Sequence, residues 1–221
     1  MHFMQQVAPQ AEALYILGDL FEFWAGDDDI DDPLHQQVTQ AMRSLATGGT
    51  RLFIMHGNRD LLMGKTLAQT ANATLLEDPT LINLYGTATL LTHGDALCTD
   101  DIAYQVFRNQ VHDASWQQSF LAQPLEQRKM QITQMRTRSE NEKQQKNSII
   151  MDVNAESVAD LLREHNYPRL IHGHTHHLMH CLHHVDGHTC ERWVLGDWNK
   201  TGNTLRCDDQ GCQVEIFDKT A

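Results

Sequence analysis

No apolar run in this chain approaches the roughly 20 residues needed to cross a bilayer, and no signal-like leader opens it. The expectation is a cytoplasmic protein. Cysteine is sparse: Cys98, Cys181, Cys190, Cys207 and Cys212 are odd in number and include no C-x-x-C pair, so reduced thiols are expected. No internal repeat or low-complexity tract appears. Basic residues are also in short supply, 17 against 29 acidic ones, leaving a formal charge of −12. Non-specific binding to nucleic acid relies on Lys and Arg neutralising phosphates, so this balance counts against a nuclease, and no nucleic-acid partner is expected. A bound divalent cation could still attract a small phosphorylated substrate, because it dominates the field nearby.

What the chain does have is enough apolar material, 41% of 221 residues, for a core in one domain spanning 1–221. It also has 14 histidines, more than such a domain needs for packing. Residues 2–7 read as the end of a helix whose beginning is absent, stopped by Pro9. Short apolar runs at 13–17 and 51–55 read as buried parallel strands, and 34–45 and 67–71 as helices. Two strands, 80–85 and 87–92, join tightly at Gly86. Residues from about 99 to 147 are polar with spaced apolar positions, which predicts a helical insertion. An amphipathic helix over 153–165 and a strand over 169–171 follow. Residues 193–195 and 214–217 read as antiparallel strands closing a sheet. Asp27, Asp28 and Asp29 read as a solvated acidic loop.

Four times an apolar run ends in a polar cluster next to glycine: Gly18-Asp19, Gly57-Asn58, His93-Gly94-Asp95 and Gly173-His174. In α/β folds, loops at the carboxyl ends of strands build the site. Taken singly, Gly18-Asp19 is a turn, Asn58 is a left-handed turn residue, and His93 is a cap or a ligand. His172, His174 and His176, three histidines in five residues around a glycine, point instead to a metal. Together the clusters supply carboxylate, amide and imidazole donors, a set that suits Mn, Fe or Zn better than Ca. A second group, Cys181, His183, His184, His188 and Cys190, has no opposing Cys pair and reads as alternating residues of an exposed hairpin.

The series Gly18-Asp19-x-x-Glu22, Gly57-Asn58-Arg59-Asp60, His93-Gly94-Asp95 and Gly173-His174-Thr175-His176 resembles the calcineurin-like metallophosphoesterases. Within them, the stretches 13–26, 56–65, 93–104 and 150–154 are similar to the bacterial UDP-2,3-diacylglucosamine pyrophosphatases of lipid A synthesis. Arg59, where most of the superfamily has His, marks the narrower likeness. The resemblance implies an α/β fold: a β-sandwich flanked by helices, with a helical insertion. It also implies two Mn²⁺ ions bound by Asp19, Asn58, His93, His174 and His176, with Asp19 shared between them. The family's further ligands come from an Asp-x-His motif on an earlier strand, and no such motif precedes Asp19. The expectation is therefore a chain lacking that first strand, of low stability, with one metal site incomplete and its activity in doubt.

The implied reaction releases UMP and a diacylated glucosamine 1-phosphate. Asp19, Asn58, Arg59 and His93 would be catalytic. Substrate contacts would come from Asn58, Arg59, Asp101, Ser139, Lys143, Lys146 and His174, although Lys143 stands where Asn is expected. Without the family, Lys143 and Lys146 read as a solvated helix face. Likewise Trp116, Phe120, Leu121 and Leu125 read as helix-packing residues, or else as an acyl-chain or membrane surface. The implied partners are a UDP-linked diacylated glucosamine and the cytoplasmic membrane, placing the chain peripherally on the inner membrane's cytoplasmic face. Competing expectations are another metallophosphoesterase, either a nuclease or a phosphomonoesterase, and an inactive truncated fragment.

Overall fold

The computed structural model describes residues 1–29, 31–145, 152–198 and 201–218. Two sheets face each other, each with helices on its outer side. The first contains β1 (Ala13–Leu17), β2 (Arg51–Met55) and β3 (Ala73–Leu76), all parallel, in that order. The second has five strands: β4 (Thr80–Leu84), β5 (Thr87–Thr92), β6 (Arg169–His172), β7 (Met179–Val185) and β8 (His188–Val194). Their spatial order is β4-β5-β6-β8-β7.

Side-chain alternation along the strands accounts for these layers. On β1 and β2, Leu14, Ile16, Leu52 and Ile54 point outward to a core with Met42 and Leu45 of α1 (Pro33–Thr47) and Leu67 and Ala71 of α2 (Lys65–Ala71). Their neighbours Tyr15, Leu17 and Met55 point inward and meet Leu91 of β5, Ile171 of β6 and Trp193 of β8. On the far side of the second sheet, Leu90, Leu170 and Cys190 pack against Val158 and Leu162 of α6 (Ala155–Glu164). A one-residue slip in any strand would exchange the two faces.

The helices begin and end where local chemistry dictates. Asp32 caps α1, accepting from the Leu34 and His35 amides, with Pro33 in the first turn and Gly48 at the far end. Asn154 caps α6 through the Glu156 and Ser157 amides. The stretch read as helical contains α3 (Ile102–His112), α4 (Ala114–Leu121) and α5 (Leu125–Gln145).

Several expectations need correction. β3 was not foreseen: it is four residues long and follows α2 directly through Asn72 in the left-handed region, so no polar gap announces it. The carboxyl-terminal strands do not all close one sheet. β8 runs parallel to β6, while β9 (Thr201–Asp208) and β10 (Gly211–Asp218) form a separate hairpin. That hairpin's register sets Cys207 opposite Cys212, Cα atoms 4.1 Å apart and joined as a disulfide, so these two thiols are not reduced as expected.

The acidic loop is only partly solvated: Asp28 is exposed, Asp27 half-buried and Asp29 buried. Asp27 accepts from the amides of Gly64, Thr66 and Leu67 at the start of α2 and from the Trp24 indole. Asp28 pairs with Arg128 of α5, and Asp29 is buried beside Lys129. At the amino end, residues 3–10 form a π turn and a 3-10 turn, and Phe3 packs between Trp198 and Phe217. Among the described residues, no helix is long and apolar enough to cross a membrane.

Candidate metal centre

The carboxyl ends of β1, β2, β5 and β6 lie side by side, so the loops after them share one edge of the two facing sheets. Their approach demands glycine. Gly18 has φ +86°, and a Cβ there would lie 2.5 Å from both the Gly57 Cα and His93 Nδ1. At Gly57 a Cβ would lie 2.2 Å from the Asp19 nitrogen. Asp19, His174 and His176 themselves have φ near +60°, a conformation uncommon in non-glycine residues and concentrated at functional sites.

Four of the side chains singled out from sequence meet at this edge. His93 is buried, and its Nδ1–H donates to the Leu17 carbonyl at 2.8 Å. That bond fixes the tautomer and leaves the Nε2 lone pair facing the cluster. Asn58 Oδ1 lies 3.1 Å from His93 Nε2 and 2.9 Å from His174 Nδ1. Asp19 Oδ1 lies 3.9 Å from His93 Nε2. Burial opposes charge on His93, yet Asp19 and then Asp95 outweigh it and raise its pKa, so the cluster attracts positive charge. His93 Nε2 also accepts from the Asn58 backbone amide at 3.3 Å. Carboxylate, amide and imidazole groups gathered this closely are the donor types that fit a divalent cation of the Mn, Fe or Zn type. His176 lies on the same loop as His174, its Nδ1 3.8 Å from Asp197.

Asp60 holds these loops in place. It is fully buried and accepts from the amides of Gly57 at 2.8 Å, Asp19 at 3.2 Å and Phe21 at 3.2 Å. Burial, with the nearby Asp19 charge, pushes its pKa up to about 6. The Arg59 amide donates to Asp19 Oδ1 at 3.0 Å, completing the tie between the two loops.

Two cationic side chains border the cluster. The Arg59 guanidinium lies 3.6 Å from Asp19 and bonds Glu22. Arg136 of α5 bonds the same Glu22 carboxylate at 2.7 Å and also the Glu22 carbonyl. Burial raises the Glu22 pKa, but the Arg136 hydrogen bond and the charges of both arginines overcome this and hold it below the ordinary glutamate range.

Sequence reasoning missed Arg136. It lies more than a hundred positions from Glu22, and α5 carries other Arg and Lys residues that look alike. Ser139, one turn further along α5, is exposed on that helix. The Lys143 side chain and all of Lys146 lie outside the described residues.

Asp101 caps α3, accepting from the Tyr104 amide at 3.1 Å, a structural duty the sequence reading did not give it. α3 is tied to the site through Asp95, which is buried and accepts from the Tyr104 hydroxyl at 2.7 Å and Arg108 Nε at 2.9 Å. Phe120 is buried and stacked on Trp116, four residues earlier on the same helix, α4. Within these helices, exposed apolar side chains are Ile102, Val106 and Phe107 of α3, Met130 of α5, and Leu121 of α4, one of those singled out from sequence. Of the Cys/His hairpin group, Cys190 is buried against α6, and none of its members belongs to the one close cluster of three potential metal ligands found among the described residues.

Residues 1–178 match the family model described as calcineurin-like phosphoesterase. A UDP-2,3-diacylglucosamine hydrolase of Aromatoleum aromaticum is 54% identical, over 97% of this chain and 87% of that protein. Proteins of the same name from Edwardsiella ictaluri and Cellvibrio japonicus are 46% and 44% identical, over 97% and 98% of this chain and 83% and 90% of theirs. The loops that converge at the strand ends are those of a family to which this chain belongs, the calcineurin-like phosphoesterases, and within it the UDP-2,3-diacylglucosamine hydrolases.

Proposed function

We propose that this chain hydrolyses the diphosphate of UDP-2,3-diacylglucosamine, releasing UMP and diacylated glucosamine 1-phosphate. Asp19, Asn58, His93, His174 and His176 are the metal-holding residues in this reading, with Mn²⁺ as the ion. The observation that carries it is the convergence of the Asp19, Asn58, His93 and His174 side chains beside Arg59. Divalent cations bound there supply electrophilic assistance at phosphorus and lower the pKa of water.

The chain's own groups do the rest. Arg59 remains charged at any working pH, so it clamps phosphate oxygens rather than giving up a proton. A diphosphate has a weakly basic phosphate leaving group, which needs less protonation than an alkoxide, so arginine suffices here. Arg136 is a second phosphate contact: Glu22 holds both guanidinium groups together, and a diphosphate offers oxygens to each. His93 keeps its Nδ1 proton on the Leu17 carbonyl, so its Nε2 stays directed into the site.

Asp101, Ser139, Lys143 and Lys146 are proposed contacts to the nucleotide-linked sugar. The exposed Ile102, Val106 and Phe107 of α3 support a surface for acyl chains at the cytoplasmic face of the inner membrane. The test is hydrolysis in H₂¹⁸O with Mn²⁺ and the lipid substrate, products resolved by mass spectrometry. Label in UMP is expected, from attack at the uridine-linked phosphorus. Label in the lipid phosphate, or no cleavage, contradicts the proposal.

A further inference from the structure

Beyond the strand-end loops, the chain buries a second set of metal-ligating groups that the reaction does not use. Asp29, Asp32 and His35 each offer a ligand atom, all within 4.8 Å of one another. Asp29 and His35 are at least nine-tenths buried. His35 Nδ1 is buried with no hydrogen-bond partner and lies 3.8 Å from Asp29 Oδ2, which also has none. An imidazole nitrogen and a carboxylate oxygen left facing each other are each costly to bury. Their spacing is close to the about 3.4 Å expected for neighbouring ligands on a tetrahedral ion at about 2.1 Å.

The surroundings fit a cation. The His35 ring packs against Trp24 at 4.5 Å, Phe21 at 4.8 Å and Phe23 at 5.8 Å between centroids, an aromatic wall on one side that holds the imidazole in place. Asp32 also caps α1, accepting from Leu34 and His35 through Oδ1. One competing charge is present: Lys129 Nζ of α5 lies 2.6 Å from Asp29 Oδ1, with 30% of its side chain exposed. Two carboxylates against one ammonium leave a net negative charge, whereas a divalent ion with a neutral imidazole balances them and frees Lys129 to solvent.

We propose that Asp29, Asp32 and His35 form a second divalent-cation site, suited to Zn²⁺ with water as fourth ligand, for which the Lys129 ammonium is the built-in competitor. The ion would lock the loop bearing Trp24 and Glu22 against α1, a structural role independent of the hydrolytic centre. The one-imidazole, two-carboxylate donor set is within the range zinc accepts.

Zinc content after equilibrium dialysis and the zinc-dependent shift in unfolding temperature test it. Lys129→Met keeps all three ligands and is expected to hold one more Zn²⁺ per chain than the double variant Lys129→Met/His35→Gln. It is also expected to gain several degrees more on zinc addition. Wild type should bind the same ion about tenfold more weakly than Lys129→Met, the effect of one competing ion pair. Asp29→Asn in place of His35→Gln should give the same loss, which separates a missing ligand from a misfolded variant. Equal zinc content and equal shifts in Lys129→Met and both double variants, or wild type at saturating zinc indistinguishable from those doubles, overturn the proposal. The cluster is then an ordinary buried ion pair.

Discussion

The residues that converge at the strand ends were legible because each sits where an apolar run meets a glycine, a pattern local enough to read without the fold. Asp19, Asn58, His93 and His174 are brought together, and the glycines beside them prove to be steric requirements. What stayed illegible is pairing at a distance. Asp60 looked like one more letter of a motif, yet its carboxylate accepts three amides that fix the positions of Asp19 and Gly57. Asp60→Asn turns one acceptor into a donor facing those amides, so a loss of about 3 kcal/mol in unfolding free energy is expected by denaturant titration. Arg59→Lys keeps the charge but removes the bidentate fork. It should lower kcat/KM by about 10- to 100-fold in a steady-state assay, and a change under twofold would deny Arg59 its phosphate contact.

Elements were legible in proportion to their length and their boundaries. β1 and β2 end at the residues the apolar runs suggested, and α1 is bracketed by Pro33 and Gly48. β3 was hidden by its four residues and the absence of a gap after α2. The packing of α5 was hidden for another reason: a polar, Arg-rich helix gives no amphipathic signal for which face docks.

Arg128 supplies the answer. It is 1% exposed and bonds the Ala25 and Gln123 carbonyls and Asp28. Arg128→Met leaves the buried Ala25 carbonyl and the part-buried Gln123 carbonyl without this donor, and a destabilisation of about 2–4 kcal/mol is expected from chemical denaturation. The same bond governs acid behaviour. The Arg128 hydrogen bond holds the Asp28 pKa below its ordinary 3.8, so the unfolded chain takes up the proton first. Asp28 therefore contributes its full stability above about pH 4–5 and loses it as pH falls through the lowered folded value. In Arg128→Met, that part of the acid slope in stability should disappear; an unchanged slope would contradict the assignment.

At the scale of the whole molecule, two facing sheets exist to deliver loops from β1, β2, β5 and β6 to one edge, and α3 is fastened over that edge through Asp95. The acidic surface was legible from composition; the disulfide in the β9–β10 hairpin was not, because it depends on a register no count of cysteines reveals. Removing bound metal should be felt globally. Ions present at about a hundred times their dissociation constant add about 2.7 kcal/mol, and chelation should lower the unfolding temperature by on the order of 5–10 °C in a chain of this size.

The central claim is that Asp19, with the imidazoles and amide around it, holds the ions at which the diphosphate is cleaved. The most direct test compares wild type with Asp19→Ala, loaded with Mn²⁺, by metal analysis and by UMP release from UDP-2,3-diacylglucosamine. The account predicts less bound Mn²⁺ in the variant and a fall in turnover of at least about a thousandfold. Equal metal content with undiminished UMP release would contradict it.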